Sequence, residues 1–171
     1  QWYDTKNSDG QFERQESRFR DTISNQENSR YPAEAGRYHL YVSLACPWAH
    51  RTLIFRQLKQ LENIISVSVV KPEMLNNGWE FSANDNDGSD YSDSLYQQEY
   101  LYQLYLKAAP DYQGRVTVPV LWDKKTQSIV NNESSEIIRI FNTVFNELTG
   151  NHDDYYPAGL QPEIDSINER I

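Results

Sequence analysis

Cys46 is the single cysteine of the chain, and Pro47 follows it directly. The apolar stretch 38–44 before it has the composition of a strand, and proline suits the first position of a helix, where its missing N–H costs nothing. A thiol at such a junction lies at the helix N-terminus, whose unpaired amides favour the thiolate. The sequence therefore predicts a reactive nucleophile at Cys46, with an inert buried cysteine as the alternative.

The cysteine count limits the chemistry of this thiol. With no second cysteine the chain forms no internal disulfide, so a thiol from outside must resolve any disulfide at Cys46, and glutathione is the obvious candidate. The three histidines, His39, His50 and His152, share no metal-ligand spacing, and we expect no metal. This cysteine usage is typical of a reducing, intracellular setting, and we expect a cytoplasmic protein.

Composition sets the outer bounds. The chain has 171 residues, a formal net charge of −9 and 38% hydrophobic residues, which is enough for one domain with a core and appendages. The acidic balance argues against nucleic-acid or anionic-membrane partners, because both require basic surface. No apolar run is long enough to cross a bilayer, and no basic-then-apolar leader is present.

The elements around Cys46 are predicted from periodicity. Ile54, Leu58 and Leu61 recur along one face of a helix, and the stretch 64–70 reads as a second strand. Strand, helix and strand in this order predict a parallel βαβ unit. Residues 1–37 are polar, and we interpret them as an extension over the surface, with a short helix at 17–24.

A polar insert follows at about 71–93. Its acidic run at 82–90 lacks the glycine and glutamate spacing of an EF-hand, so a solvated loop is preferred to a calcium loop. Trp79 and Phe81 stand out in this polar stretch, and they either pack into the protein or stack on a ligand.

Two further stretches have chemical potential. A helix is predicted at 94–108, and the strand-like stretch 114–123 contains Pro119, which predicts a cis peptide facing the sulfur and free backbone groups on Val118 for a peptide ligand. After a short strand at 128–130, Asn132 is a good N-cap. There, helix amides and the Ser134 hydroxyl would hold a carboxylate while Glu133 pairs with an ammonium, or the sequence is a purely structural cap.

The combination resembles a known family. The order of elements resembles the thioredoxin-like domain of the glutathione transferases, an α/β fold of βαβ-α-ββα type. The resemblance is closer to the glutathionyl-hydroquinone reductases, or Xi-class glutathione transferases, and it runs from about Gly10 to the C-terminus. Their signature blocks are similar to 42–52 (VSLACPWAHRT), 78–79 (GW), 115–123 (RVTVPVLWD) and 129–138 (IVNNESSEII).

The resemblance implies an activity. Cys46 matches the cysteine that takes glutathione from a glutathionyl-hydroquinone as a mixed disulfide, which a second glutathione resolves to glutathione disulfide. Glutathione, a co-substrate, would be held by Trp79, Arg115, Val118, Glu133 and Ser134. Two other activities stay open: an omega-like thiol transferase or dehydroascorbate reductase, and a non-catalytic glutathione-binding fragment.

The resemblance also implies a domain organisation. We expect an N-terminal extension at 1–37, the glutathione-binding domain at 38–148, and at 149–171 a linker and the start of a truncated helical domain. Pro162 and Glu163 read as the start of its first helix, with Ile164, Ile167 and Ile171 as an apolar stripe. The full-length protein is expected to be a homodimer, and the activity of the shortened chain stays open.

Overall fold

The structure is a computed structural model, and it describes residues 16–83 and 88–170. The elements run in the order β1 (Tyr38–Ser43), α1 (Pro47–Leu58), β2 (Ile65–Val70), β3 (Met74–Leu75), β4 (Gly78–Trp79), α2 (Leu101–Ala108), β5 (Val120–Asp123), β6 (Ser128–Asn131), α3 (Ser134–Thr143), α4 (Asn146–Thr149) and α5 (Gln161–Asn168).

A mixed sheet organises the fold. Its strand order is β2-β1-β5-β6, with β1 and β2 parallel and the pairs β1–β5 and β5–β6 antiparallel. The parallel pair joined by α1 confirms the predicted βαβ unit. All six residues of β1 are buried, so the strand that leads to Cys46 lies at the centre of the protein.

Helix α1 buries a different face from the predicted one. Ile54 and Leu58 are 43% and 42% exposed, and Leu61, although buried, lies beyond the helix end. The buried residues of α1 are Ala49 and Thr52, and α1 packs against α3. Small side chains on this face permit a close approach between the helices. Because Ile54 and Leu58 lie on the exposed face instead, the predicted apolar stripe is wrong for these two residues.

The helix predicted at 94–108 is shorter than expected. Helix α2 begins at Leu101, because the preceding chain forms a turn around the buried carboxylate of Asp93. Asp93 accepts hydrogen bonds from the amides of Leu95 and Gln98 and from the Tyr41 hydroxyl. Gln97 has a positive φ of 55°, which a right-handed helix does not allow.

The short helix predicted at 17–24 is wrong. This segment is extended along β6, where Arg20 bridges Asn131 and the amide of Asp21 donates to the carbonyl of Val130. A strand at a sheet edge has unpaired backbone groups, and these favour an extended partner over a helix. Nearby, Ile23 and Tyr31 are buried in the core, so the extension does more than cover the surface.

The polar insert holds the β3–β4 hairpin. Phe81 is buried and packs edge-on against Tyr41, with ring centroids 5.8 Å apart. Of the predicted aromatic pair, Phe81 therefore packs into the protein. The acidic run at 82–90 lies partly outside the described residues. Residues 1–15 of the extension and Ile171 lie wholly outside them.

The last helix begins close to the predicted position. Pro162 is in the first turn of α5, and Ile167 is 60% exposed. No helix in the described ranges is long and apolar enough to span a membrane.

Candidate functional site

Cys46 is the N-cap of α1, as predicted. Its backbone has φ −105° and ψ 115°, and its carbonyl accepts the first helical hydrogen bond from the amide of His50 at 3.0 Å. The turn from β1 is fixed by Ser43, whose hydroxyl accepts from the amide of Ala45 at 3.2 Å. Among the described side chains none caps α1, so the half-buried thiol is itself the side chain at the helix N-terminus.

Val118 faces this sulfur. The Val118–Pro119 peptide is cis, which confirms the prediction, and the Cys46 Sγ lies 3.9 Å from the carbonyl oxygen of Val118. The loop is anchored one residue earlier, where the Tyr105 hydroxyl donates to the carbonyl of Thr117 at 2.8 Å. Burial raises the pKa of Tyr105, so the hydroxyl keeps its proton. A peptide backbone and the thiol therefore share one small region.

Arg115 lies in the loop between α2 and β5. Its carbonyl accepts a hydrogen bond from the Tyr112 hydroxyl at 2.5 Å. Burial raises the pKa of Tyr112 to about 12, and the ring also packs against Phe19 of the extension. The backbone of Arg115 is therefore held in place while its side chain is only half-buried.

Trp79 lies in the β3–β4 hairpin. It pairs with Met74 across the hairpin and is half-buried against the core. The hairpin is tied to the end of β2 by the amide of Lys71, which donates to the carbonyl of Glu80 at 2.8 Å. Trp79 thus combines core packing with a partly exposed indole.

The N-cap of α3 is Glu133, which corrects the prediction of Asn132. Glu133 accepts a hydrogen bond from the amide of Ser135 at 3.4 Å, and its own amide donates to the Asn131 side chain at 2.7 Å. Asn132 is turned inward instead, where it donates to the Tyr105 hydroxyl at 3.1 Å. Ser134 is the first residue of the helix and is 1% exposed.

Sequence reasoning missed Arg51, which joins the two helix starts. From α1 its Nε and a terminal guanidinium nitrogen donate to the Ser134 Oγ, at 3.0 and 2.7 Å. The same guanidinium lies 4.0 Å from a carboxylate oxygen of Glu133 and 5.0 Å from the ring centre of Trp48. A cation near a helix N-terminus opposes the helix dipole, and this mismatch is the sequence signal that could have marked it.

The extension also reaches α3. The Ser17 hydroxyl donates to the second carboxylate oxygen of Glu133 at 3.2 Å. Arg20 forms two hydrogen bonds of 2.6 Å with Glu136, and this pairing lowers the pKa of that carboxyl. The first turn of α3 is thus held from α1 on one side and from the extension on the other.

The structure therefore makes two direct groupings of the predicted residues: Cys46 with Val118, and Glu133 with Ser134. Arg51 connects the second grouping to the helix of the first. Trp79 and Arg115 are positioned by their own hairpin and loop, and their role in ligand binding stays a prediction. Within the described residues, no group of three or more His, Cys, Asp or Glu side chains could hold a metal ion.

A cysteine at the start of α1, a cis-proline loop facing its sulfur and a mixed four-stranded sheet define a thioredoxin-like domain. The family profile described as "Glutathione S-transferase, N-terminal domain" matches residues 45–144. The chain belongs to this family, and the predicted fold class is confirmed.

Individual relatives narrow the resemblance. Glutathionyl-hydroquinone reductase YqjG of Escherichia coli K12 is 57% identical over 98% of this chain and 52% of its own length. The chain spans about half the length of the curated relatives it matches.

Solved structures agree. The Xi glutathione transferase of Phanerochaete chrysosporium matches with a TM-score of 0.87 and 53% identity, covering 92% of this chain and 53% of that one. The glutathione-bound structure of YqjG matches with a TM-score of 0.83 and 57% identity, over 88% of this chain and 50% of that one. The predicted resemblance to Xi-class enzymes is confirmed.

Proposed function

We propose that this chain binds glutathione and uses Cys46 to remove glutathione from glutathionyl-hydroquinones. The observation that carries the proposal is the position of the thiol: it is the N-cap of α1 and lies 3.9 Å from the Val118 carbonyl. The names of the relatives support the substrate class, and the glutathione bound to YqjG supports the ligand.

The binding mode follows from charges. The γ-glutamyl end of glutathione carries an ammonium and a carboxylate, and Glu133 with the first amides of α3 offers a partner for each. The backbone of Val118 would pair with the cysteinyl residue, which brings the ligand sulfur to Cys46. Arg115 would pair with the glycyl carboxylate, and Trp79 would pack along the tripeptide.

The reaction is a pair of displacements at sulfur. The Cys46 thiolate attacks the glutathione sulfur of the thioether, a disulfide bond forms, and the carbon–sulfur bond breaks. Its electron pair goes to the ring carbon, which takes up a proton and leaves as the hydroquinone. A second glutathione thiolate then attacks the glutathione sulfur of the mixed disulfide, so that glutathione disulfide leaves and the Cys46 thiolate returns.

Two further assignments belong to this proposal. The reaction needs a supply of reduced glutathione, which we place in the cytoplasm. The homodimer is assigned to the full-length protein, where the relatives have as much chain again as the part matched here.

The proposal is tested with oxidised glutathione and mass spectrometry. A single glutathione adduct is expected, and because the chain has one cysteine, any adduct reports on Cys46. No adduct would contradict a reactive site. Turnover of a glutathionyl-hydroquinone, compared with that of a simple mixed disulfide, then separates the proposed activity from that of an omega-like thiol transferase.

A further inference from the structure

The start of α3 presents two opposite charges side by side. The Arg51 guanidinium and the Glu133 carboxylate are 4.0 Å apart, and their side chains are 29% and 13% exposed. An α-amino acid head group carries an ammonium and a carboxylate on one carbon, so a cation and an anion at this spacing match both of its charges. Glu133 is already assigned to the ammonium under the proposed function. The Arg51 guanidinium has the positive charge that the carboxylate of the head group requires.

The Ser134 hydroxyl holds this guanidinium in place. Both of its hydrogen bonds from Arg51 use the serine oxygen as acceptor, at 2.7 and 3.0 Å, and Ser134 is 1% exposed. Trp48 supports the guanidinium from the ring face, with its centre 5.0 Å away. A planar group fixed by a hydroxyl and an aromatic ring is pre-organised to pair with a carboxylate.

The spacing along α1 agrees with this role. Arg51 is five positions after Cys46, which corresponds to about 7.5 Å along a helix axis. Two residues of extended peptide reach about 7 Å. A γ-glutamyl-cysteine unit can therefore place its sulfur at Cys46 and its charged head at Arg51.

We propose that Arg51 binds the α-carboxylate of the γ-glutamyl group, with Ser134 as the residue that positions the guanidinium. The inference rests on the proposed function, since it names the group that reads one end of the same ligand. It makes the site selective for thiol peptides that carry this carboxylate.

The test uses calorimetric titration of the reduced chain with three tripeptides. Glutathione has both charges, 4-aminobutyryl-Cys-Gly lacks the α-carboxylate, and glutaryl-Cys-Gly lacks the ammonium. Arg51→Gln should weaken the affinity for glutathione and for glutaryl-Cys-Gly roughly 10- to 150-fold, the range for hydrogen bonds to charged groups. It should leave the affinity for 4-aminobutyryl-Cys-Gly unchanged. Glu133→Gln should instead weaken the affinity for the two ligands that carry the ammonium, and it should leave the affinity for glutaryl-Cys-Gly unchanged.

Two controls separate binding from support of the fold. Arg56→Gln removes the same charge from the same helix, where Arg56 donates to the carbonyls of Ile65 and Glu62, and it should bind all three ligands like the parent chain. Arg51→Lys keeps the charge without the planar fork and should recover part of the affinity for glutathione.

The other outcomes overturn the inference. Equal loss of glutathione and 4-aminobutyryl-Cys-Gly in Arg51→Gln would show that Arg51 acts only on the local fold. Unchanged glutathione affinity in that variant would show that the carboxylate binds elsewhere. Failure of the parent chain to bind glutathione at all would overturn the proposed function and this inference with it.

Discussion

The starts of α1 and α3 have almost the same backbone and opposite chemistry. Cys46 has φ −105° and ψ 115°, and Glu133 has φ −104° and ψ 113°; each follows a strand and begins a helix. At α1 no described side chain caps the helix, and Pro47 lacks an amide hydrogen in the first position. At α3 the Glu133 carboxylate caps the amide of Ser135.

The difference shows how one backbone arrangement serves two purposes. A helix N-terminus without a side-chain cap leaves its dipole and amides to stabilise whichever anion arrives, which suits a thiolate. A helix N-terminus with a capping carboxylate is fixed in place and carries a negative charge of its own, which suits a cationic ligand group. Arg51 reaches from α1 to the Ser134 hydroxyl in α3 and so links the two helix starts.

The largest expected effect is on the formation of the glutathione adduct, which should be lost by a change at the start of α1 and retained after a change at the start of α3. Cys46→Ser should abolish the glutathione adduct and turnover, because an alcohol is a far weaker nucleophile than a thiolate. Glu133→Ala should still form a single adduct, but at higher glutathione disulfide concentration. Mass spectrometry over a concentration series measures both, and an adduct on Cys46→Ser would mean that the chemistry occurs elsewhere.

The next effect concerns affinity at the α3 start. Glu133→Ala should weaken the binding free energy of reduced glutathione by about 1.5–3 kcal/mol, the scale of a hydrogen bond to a charged group. Glu147→Ala is the matched control, since Glu147 is exposed in the first turn of α4, and it should bind as the parent chain does. Calorimetric titration gives both values, and equal affinities would place the ammonium away from Glu133.

The strands that lead to the two helix starts also differ, and pH should expose this. His39 on β1 is 0% exposed, and its ring nitrogens lie 2.6 and 2.8 Å from the hydroxyls of Ser66 and Ser68. Burial, with smaller effects from the charges of Lys124 and Arg56, lowers the pKa of His39 to about 3. The strand before α3, β6, has no histidine, and its last residue is Asn131, which does not titrate.

The sign of the pH effect follows from proton uptake on unfolding. Below the unfolded pKa of about 6.5, unfolded His39 binds a proton that the folded protein excludes. The free energy of unfolding should therefore fall as pH drops from about 6.5 towards 3, by up to roughly 1.4 kcal/mol per pH unit. Urea unfolding between pH 7 and 5 measures the slope; His39→Gln should flatten it, and the exposed His152→Gln should not. A slope unaffected by His39→Gln would assign the dependence to other groups.

The parts that the sequence predicted well are those set by local rules. Pro47 after Cys46 fixes a helix start, Pro119 after Val118 marks the cis peptide, and apolar composition marks β1 and β2. The wrong predictions depend on partners far along the chain. Helicity at 94–100 was lost to the buried Asp93 carboxylate, which binds Tyr41 across 52 residues.

The candidate site divides in the same way. The start of α3 could be located from capping chemistry to within one residue, Asn132 predicted and Glu133 observed, because that chemistry is local. The dipole mismatch could mark Arg51 as unusual, but its partner Ser134 could not be assigned, because Ser134 is 83 residues away and only the packing of α1 on α3 brings the two together. Side-chain direction on a helix depends on which face the neighbour covers, and here the buried face is the one with Ala49 and Thr52.

The smallest expected effect tests whether the uncapped start of α1 is kept for reactivity at a cost in stability. Serine is a preferred N-cap, so Cys46→Ser should raise the free energy of unfolding by about 0.5–1 kcal/mol, as its hydroxyl accepts from a first-turn amide. Glu133→Ala removes an existing cap and should lower the same quantity by about 0.5–1 kcal/mol. Urea unfolding at constant pH measures both changes. If Cys46→Ser is instead less stable than the parent chain, the thiol contributes packing that a hydroxyl cannot replace, and the two helix starts differ in more than their caps.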